Sequence, residues 1–257
     1  MSESLRNIVL VVEYDGGTYL GWQRQKDGPS IQAELERAVH SVTQSETSLT
    51  AAGRTDAGVH AIGQVVSFRT TSSIESHRFS HALNAHLPST VTVHTSREMP
   101  TSFDPRLDSL SKRYRYRFYQ GPHLPALEHG RVWHHRTALD LDAMRAASRF
   151  LIGELDFESF RSVHCDADHA VREMHSIDLS RYPRPPVGTY LDIEFHANAY
   201  CRHMCRILAG TLCDVGRGRF AAGDIERIRE ARDRRQAGVT APPGGLTLIE
   251  VLYPTST

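Results

Sequence analysis

The residues best suited to chemistry lie in one short run, Gly53-Arg54-Thr55-Asp56-Ala57-Gly58-Val59-His60-Ala61. Gly53 and Gly58 permit close backbone approach or a positive φ beside a ligand. Arg54 offers a planar donor fork that suits phosphate. Asp56 stands among small residues, so a large group can reach its carboxylate. An Asp between glycines is also a common turn former, its side chain bonding nearby backbone. The residues by themselves leave both readings open. A second run, Arg113-Tyr114-Arg115-Tyr116-Arg117-Phe118-Tyr119, alternates charge and ring. As a strand it has one basic and one aromatic face, a pattern that suits an RNA-binding sheet as well as a packed strand.

The cysteines point to less. There are 4, at 165, 201, 205 and 213, too sparse in 257 residues for a disulfide scaffold. Cys201, His203 and Cys205 invite a zinc reading, but residues two apart fall on different sides of a helix. Reduced, partly buried thiols are the expectation, and no metal is expected. No Gly-x-x-x-x-Gly-Lys phosphate loop occurs. With 30 basic and 30 acidic residues the net charge is zero, which neither announces nor excludes a nucleic-acid partner. The basic residues are clumped, around 112–117, 131–136 and 202–219. No apolar run is long enough to span a membrane, and Met1–Arg6 lacks the layout of a secretory leader, so a cytoplasmic location is expected.

These residues need a scaffold. Ile8–Val12 is a continuous β-branched and leucine run, read as a buried strand, broken by Tyr14-Asp15-Gly16-Gly17. Ser30 is a good N-cap for a helix carrying Ile31, Leu35, Ala38, Val39 and Val42. Leu49–Ala52 and Val65–Phe68 flank an expected loop over Gly53–Gly63. Phe79, Ala82 and Leu83 suggest a second helix, and Val91 and Val93 a half-buried strand. Residues 7–97 thus give strand, helix, strand, strand, helix, strand, the order of a ferredoxin-like or RNA-recognition-like unit. Further on, a strand is expected over Arg113–Tyr119 and a helix over Leu141–Leu151, with Gly153 just past its end. A hairpin over Val171–Ser180 and Tyr190–Phe195 follows, then helices around Met204–Leu212 and Ile225–Ile228. The alternating strand Leu246–Leu252 closes the chain. The fold class expected is α+β: two related ferredoxin-like halves, 1–105 and 106–257. Their sheets join into one mixed, mainly antiparallel sheet with helices on one face, leaving a catalytic cleft between the halves.

The Gly53–Ala61 run, followed by Gly63-Gln64-Val65-Val66-Ser67-Phe68, resembles the signature loop of the TruA family of tRNA pseudouridine synthases. Further blocks resemble the same family in the same order. They are Tyr14-Asp15-Gly16 with Gly21-Trp22-Gln23, Ser30-Ile31-Gln32 with Leu35-Glu36, and Leu83-Asn84-Ala85-His86-Leu87-Pro88. After them come Lys112-Arg113-Tyr114-Arg115-Tyr116, Asp156-Phe157 with Ser159-Phe160, His203-Met204 with Arg206, and Gly245-Leu246 with Leu248. The chain departs from the family pattern at Leu155, Tyr200-Cys201-Arg202, Cys205 and Asp104-Pro105-Arg106.

The resemblance implies isomerisation of uridine to pseudouridine at positions 38, 39 and 40 of the tRNA anticodon stem-loop, with no cofactor. It implies Asp56 as nucleophile on a flipped-out uridine and Arg206 as the cation that keeps that carboxylate charged. Tyr114 is implied to stack on the base and relay a proton, Leu246 to cap the base pocket, and Arg54 to fill the vacated space or hold phosphate. It further implies a homodimer with one tRNA touching both subunits. Two rivals stay on the table: an RNA-binding protein without chemistry, and a hydrolase in which Asp56 activates water to release uracil.

Overall fold

The structure, a computed structural model, describes residues 4–254. Residues 1–3 of the polar N-terminal stretch lie outside the described residues. The chain divides into two compact units: the residues up to Leu110 together with those from Leu248 onward, and Ser111–Thr247.

In the first unit β1 (Arg6–Tyr14) runs antiparallel to β3 (His60–Thr70) on one side and to β4 (Val91–Met99) on the other, while β2 (Thr50–Ala51) pairs with β3. The lateral order is therefore β4-β1-β3-β2. Helix α1 (Ile31–Thr43) starts at Ser30, whose hydroxyl accepts the Ala33 N–H, and ends at Gln44 in the left-handed region with φ 57°. It buries Ile31, Leu35, Ala38 and Val39 at helical spacing. Helix α2 (Phe79–Asn84) sets Phe79 edge-on against Phe68 at 5.5 Å. The paired residues Ile8/Phe68 and Leu10/Val66 share this helix-covered face.

The other face of the same strands is also covered. Val9, Ala52 and Val65 form a second cluster under Met99, Phe103, Val251 and Tyr253. Tyr253 stacks obliquely on Phe103 and donates to the Pro105 carbonyl at 2.7 Å. Cover on both faces explains why β1 reads as an unbroken apolar run rather than an alternating one. It also explains where the units divide. The expected boundary at 105/106 leaves the closing strand in the second half. In the structure the last part of β10 (Leu246–Leu252) belongs with the first unit, because Val251 and Tyr253 bury there. Gly63 of β3 admits this strand: a Cβ on it would sit 2.4 Å from the Ile249 carbonyl oxygen.

The second unit repeats the plan. Strand β5 (Ser111–Gln120) pairs antiparallel with β9 (Thr189–Ala197), β9 with β8 (Val171–Pro183), and β8 with β7 (Gly153–Asp156). The order β5-β9-β8 matches β1-β3-β2 of the first unit, strand for strand. A short β6 (Trp133–His135) runs parallel to the end of β5. Helix α3 (Leu141–Ser148) is capped by Asp140, which accepts the Ala143 N–H at 2.9 Å. Helix α4 (Met204–Gly216) is buried almost all round, and α5 (Asp224–Glu230) follows it. Each unit is thus α+β with a mainly antiparallel sheet, as expected.

Three local expectations change. The loop after β2 is shorter than Gly53–Gly63, because His60–Gly63 already form part of β3, with Ala61 opposite Tyr14. Strands β6 and β7 had no signal: His134 and His135 read as part of a basic cluster, and Gly153 as a helix stop. Cys201 and His203 precede α4 rather than lying in it, with His203 in the left-handed region at φ 63°.

Candidate active site

The Asp56 loop spans the residues between β2 and β3 and is held from beneath by polar groups. The Gln64 amide, on a side chain with no exposure, donates to the Gly53 carbonyl at 2.7 Å and to the Tyr14 hydroxyl at 3.4 Å. The Tyr14 hydroxyl also shares a hydrogen bond with the Thr55 hydroxyl, 2.8 Å away. Burial pushes the Tyr14 phenol up to about 12, with the Thr55 and Gln64 hydrogen bonds pulling part of the way back. The phenol therefore stays protonated and remains a donor. Above this network the turn closes on itself: Val59 N–H donates to the Asp56 carbonyl at 3.1 Å, and Gly58 takes φ 77°.

A second clamp comes from the segment between β1 and α1. Trp22 N–H donates to the Thr55 carbonyl at 3.0 Å, and Gly58 N–H to the Tyr19 carbonyl at 3.3 Å. Two glycines make this approach possible. A Cβ on Gly16 would lie 2.0 Å from the Val59 carbonyl oxygen, and one on Gly21 would lie 2.8 Å from that of Thr55. The Tyr14-Asp15-Gly16 and Gly21-Trp22-Gln23 blocks are thus the wall against which the Asp56 loop is pressed. Thr55 is buried while Arg54 is exposed and Asp56 half-buried, so both charged residues sit at the open side of a fixed backbone.

In the second unit β5 turns Tyr114, Tyr116 and Phe118 inward and Arg113, Arg115 and Arg117 to the other face. The last two arginines are committed. Arg117 grips Asp192 through Nε and a terminal nitrogen at 2.8 and 2.7 Å, and its guanidinium lies 4.7 Å from the centre of the Tyr190 ring. Arg115 Nε is 4.0 Å from the same carboxylate, which is 4% exposed. Arg115 and Arg117, which sequence alone suggested for a nucleic-acid face, are paired within the unit.

Tyr116 and Arg206 fix one strap, the residues leading into β10. The Tyr116 hydroxyl donates to the Pro242 carbonyl at 2.8 Å, and a Cβ on Gly245 would lie 2.7 Å from its ring. Burial drives the Tyr116 phenol far upward, with the Arg206 charge opposing. Arg206, half-buried in the first turn of α4, donates from Nε to the Ala241 carbonyl at 2.8 Å, while Ala241 N–H returns a bond to the Arg206 carbonyl at 3.1 Å. Leu246, 5% exposed, follows directly on this strap. Tyr114, 8% exposed, meets Tyr200 edge-on at 5.0 Å, and the Tyr200 hydroxyl bonds the Lys112 and Phe195 carbonyls. The structure therefore gathers Arg54 and Asp56 on one loop of the first unit. In the second, Arg206 on α4 holds the strap that runs into Leu246, with Tyr114 beside the lead-in to the helix that bears Arg206.

A sequence profile described as tRNA pseudouridine synthase matches residues 10–108 and 147–254. Named relatives agree over the full length. "tRNA pseudouridine synthase A" of Geobacter sp. (strain M21) is 39% identical over 97% of this chain and 100% of its own. The protein of that name from Aliivibrio fischeri (strain MJ11) is 42% identical over 96% of this chain and 92% of its own. The one from Caldicellulosiruptor bescii is 39% identical over 97% and 100%.

The chain belongs to the tRNA pseudouridine synthase family. It is an enzyme of the isomerase class. Among the described residues of this synthase no three His, Cys, Asp or Glu side chains converge to hold a metal ion, and no helix is long and apolar enough to cross a membrane.

Several supporting residues escaped sequence reasoning. Gln64 lies between the expected loop Gly53–Gly63 and the expected strand Val65–Phe68, and stands out only as part of the family-like block, with no role attached to its amide. Tyr200, Ala241 and Pro242 act through backbone carbonyls or a ring edge, and nothing in their types announces that.

Proposed function

We propose that this synthase converts uridine to pseudouridine at positions 38, 39 and 40 of the tRNA anticodon stem-loop. Asp56 acts as nucleophile on an extruded uridine, at C6 of the base or C1′ of the ribose. Arg206 supplies the cation that keeps the reacting carboxylate ionised, Tyr114 offers a ring for the base and a hydroxyl for proton transfer, and Leu246 caps the base. Arg54 takes the space or the phosphate of the extruded nucleotide. No cofactor is assigned. The protein works as a homodimer in the cytoplasm, with one tRNA touching both subunits.

The observation that carries this reading is the half-buried Asp56 on a backbone pressed between Gly16, Gly21 and the Gln64–Tyr14–Thr55 network. A nucleophile that must meet a bulky base needs its position fixed from behind, leaving the front open. The isomerase class of the family favours this chemistry over uracil release and over RNA binding alone.

The test is incubation of unmodified tRNA with the parent enzyme and Asp56→Asn, followed by site-resolved mapping and mass analysis. The parent should yield pseudouridine at the three positions with unchanged RNA mass. Asp56→Asn should bind tRNA and lose at least about a thousandfold in rate. Isomerisation by the variant at the parental rate removes Asp56 from the role, and free uracil among the products replaces the isomerase with a hydrolase.

A further inference from the structure

Two cysteines that uridine isomerisation does not use stand together in the second unit. The loop that follows Phe160 is laced to the lead-in of α4. Ser162 N–H donates to the Arg202 carbonyl at 3.0 Å, Arg202 returns a guanidinium bond to the His164 carbonyl at 3.2 Å, and Cys165 N–H closes on the Ser162 carbonyl at 3.0 Å. This lacing sets the Cys165 sulfur 3.4 Å from the backbone nitrogen of Arg202, the residue after Cys201. The partners differ in access: Cys165 is partly exposed, Cys201 only 5%. Arg161, held by Glu158 at 2.9 Å and by the Ala167 carbonyl at 2.7 Å, brings positive charge to both sulfurs, and Arg172 adds more at Cys201.

We propose that Cys165 is an oxidisable nucleophilic thiol and that Cys201 resolves its oxidised form into an intramolecular disulfide. The placement fits both roles. Burial pushes the Cys165 thiol up, but the N–H groups of Ala167 and Arg202 and the Arg161 charge outweigh it, so the thiolate is favoured relative to an ordinary cysteine. Burial pushes Cys201 up to about 11, which keeps it a protonated thiol until Cys165 has been oxidised. The oxidant is a hydroperoxide. The Cys165 thiolate attacks the terminal peroxide oxygen, the O–O bond breaks, and the leaving alkoxide or hydroxide takes a proton, giving a sulfenic acid. Cys201 then loses its proton, attacks the Cys165 sulfur and expels the hydroxyl as water. Two thiols and one hydrogen peroxide thus become one disulfide and two waters, and a dithiol reductant reverses the step by exchange. The bond would staple the 161–170 loop to the residue between Tyr200, which packs on Tyr114, and Arg202, a few residues before Arg206.

The test needs no tRNA, so its outcome is independent of the uridine chemistry. The reduced full-length protein is alkylated with iodoacetamide near neutral pH and mapped by mass spectrometry. Cys165 should react at least about tenfold faster than Cys201, Cys205 or Cys213. Stoichiometric hydrogen peroxide should then remove two hydrogens from the intact mass and cross-link the peptides bearing residues 165 and 201. In Cys201→Ser the same treatment should leave a Cys165 sulfenic acid that dimedone traps, and Cys165→Ser should give neither product. Uniformly slow alkylation, an intact mass unchanged by peroxide, or a cross-link between other cysteines would each overturn the proposal.

Discussion

His135 gives the sharpest quantitative test of the second unit. Its ring is 3% exposed, at the end of β6, against Phe118 at 5.5 Å and Trp133 at 4.7 Å. An Arg217 nitrogen lies 3.1 Å from Nδ1, and the Cys213 sulfur 3.6 Å from Nε2. A guanidinium can only donate, so Nδ1 must accept and the ring is neutral with its proton on Nε2. Burial, then the charges of Arg217 and His134, lower its pKa from 6.5 to about 4. Between those two values the unfolded chain holds a proton that the folded chain lacks, so stability rises with pH there. The contribution is fully present above pH 6.5 and lost as pH falls toward 4. Going from about pH 7 to about pH 4.5, this one group should remove about 2 kcal/mol of unfolding free energy. His135→Gln cannot take up the proton, while its amide can still accept from Arg217 and donate to Cys213. Urea unfolding of both proteins at the two pH values isolates the effect, since every other titrating group is common to both. The wild type should lose about 2 kcal/mol more than the variant over that interval. Parallel losses, whatever the absolute stabilities, would refute the assignment of a neutral buried ring.

Further outcomes follow from the site. Gly16→Ala must displace the Val59 carbonyl, 2.0 Å from the new carbon, and should cost about 1–3 kcal/mol in a urea melt together with most of the pseudouridine formation. Tyr116→Phe orphans the Pro242 carbonyl and should destabilise by about 1–3 kcal/mol in the same assay, with turnover falling as the strap that carries Leu246 loosens. Arg206→Lys keeps the charge but loses the Nε–H that holds the Ala241 carbonyl; single-turnover rates should drop on the order of a hundredfold while the melting temperature moves by only a few degrees. Tyr114→Phe should bind tRNA like the parent and turn over more slowly, and unchanged turnover would remove the hydroxyl from proton transfer.

How much of this was legible in the sequence depends on the range of the interaction. The α1 cap at Ser30, the apolar faces of the helices and the alternation of β5 are local patterns, and each appears where the spacing predicts. Strands β6 and β7 are set by partners instead. Trp133–His135 is a strand because Phe118–Gln120 lies beside it, and Gly153–Asp156 because Val171–Met174 does. Such short ladders have no periodicity to read. The same limit applies at the site. Asp56, Arg54 and Tyr114 stood out by type and by resemblance, whereas Gln64 and Pro242 matter for what their amide and carbonyl meet across 11 and 126 residues of chain. The committed state of Arg115 and Arg117 was equally hidden, because Asp192 lies on another strand.

The glycine clamp and the polar network beneath the Asp56 loop do one job by two means, and there is a reason for the pairing. Packing a loop from the side with large residues would hold it, but would also fill the space a ribonucleotide needs. Backbone laid directly on backbone at Gly16 and Gly21 restrains Thr55 and Val59 without adding bulk at the front. It does nothing for the carbonyl of Gly53 or the hydroxyl of Thr55, which would face the core unpaired. The Gln64 amide and the Tyr14 phenol meet those two groups. Each device covers what the other leaves open, so their loss should not be additive. Gly16→Ala and Gln64→Leu, combined, should cost less than the sum of the singles, because once either restraint is gone the loop has already moved away from the other. Strict additivity in a double-mutant cycle would mean that the two restrain separate parts of the loop.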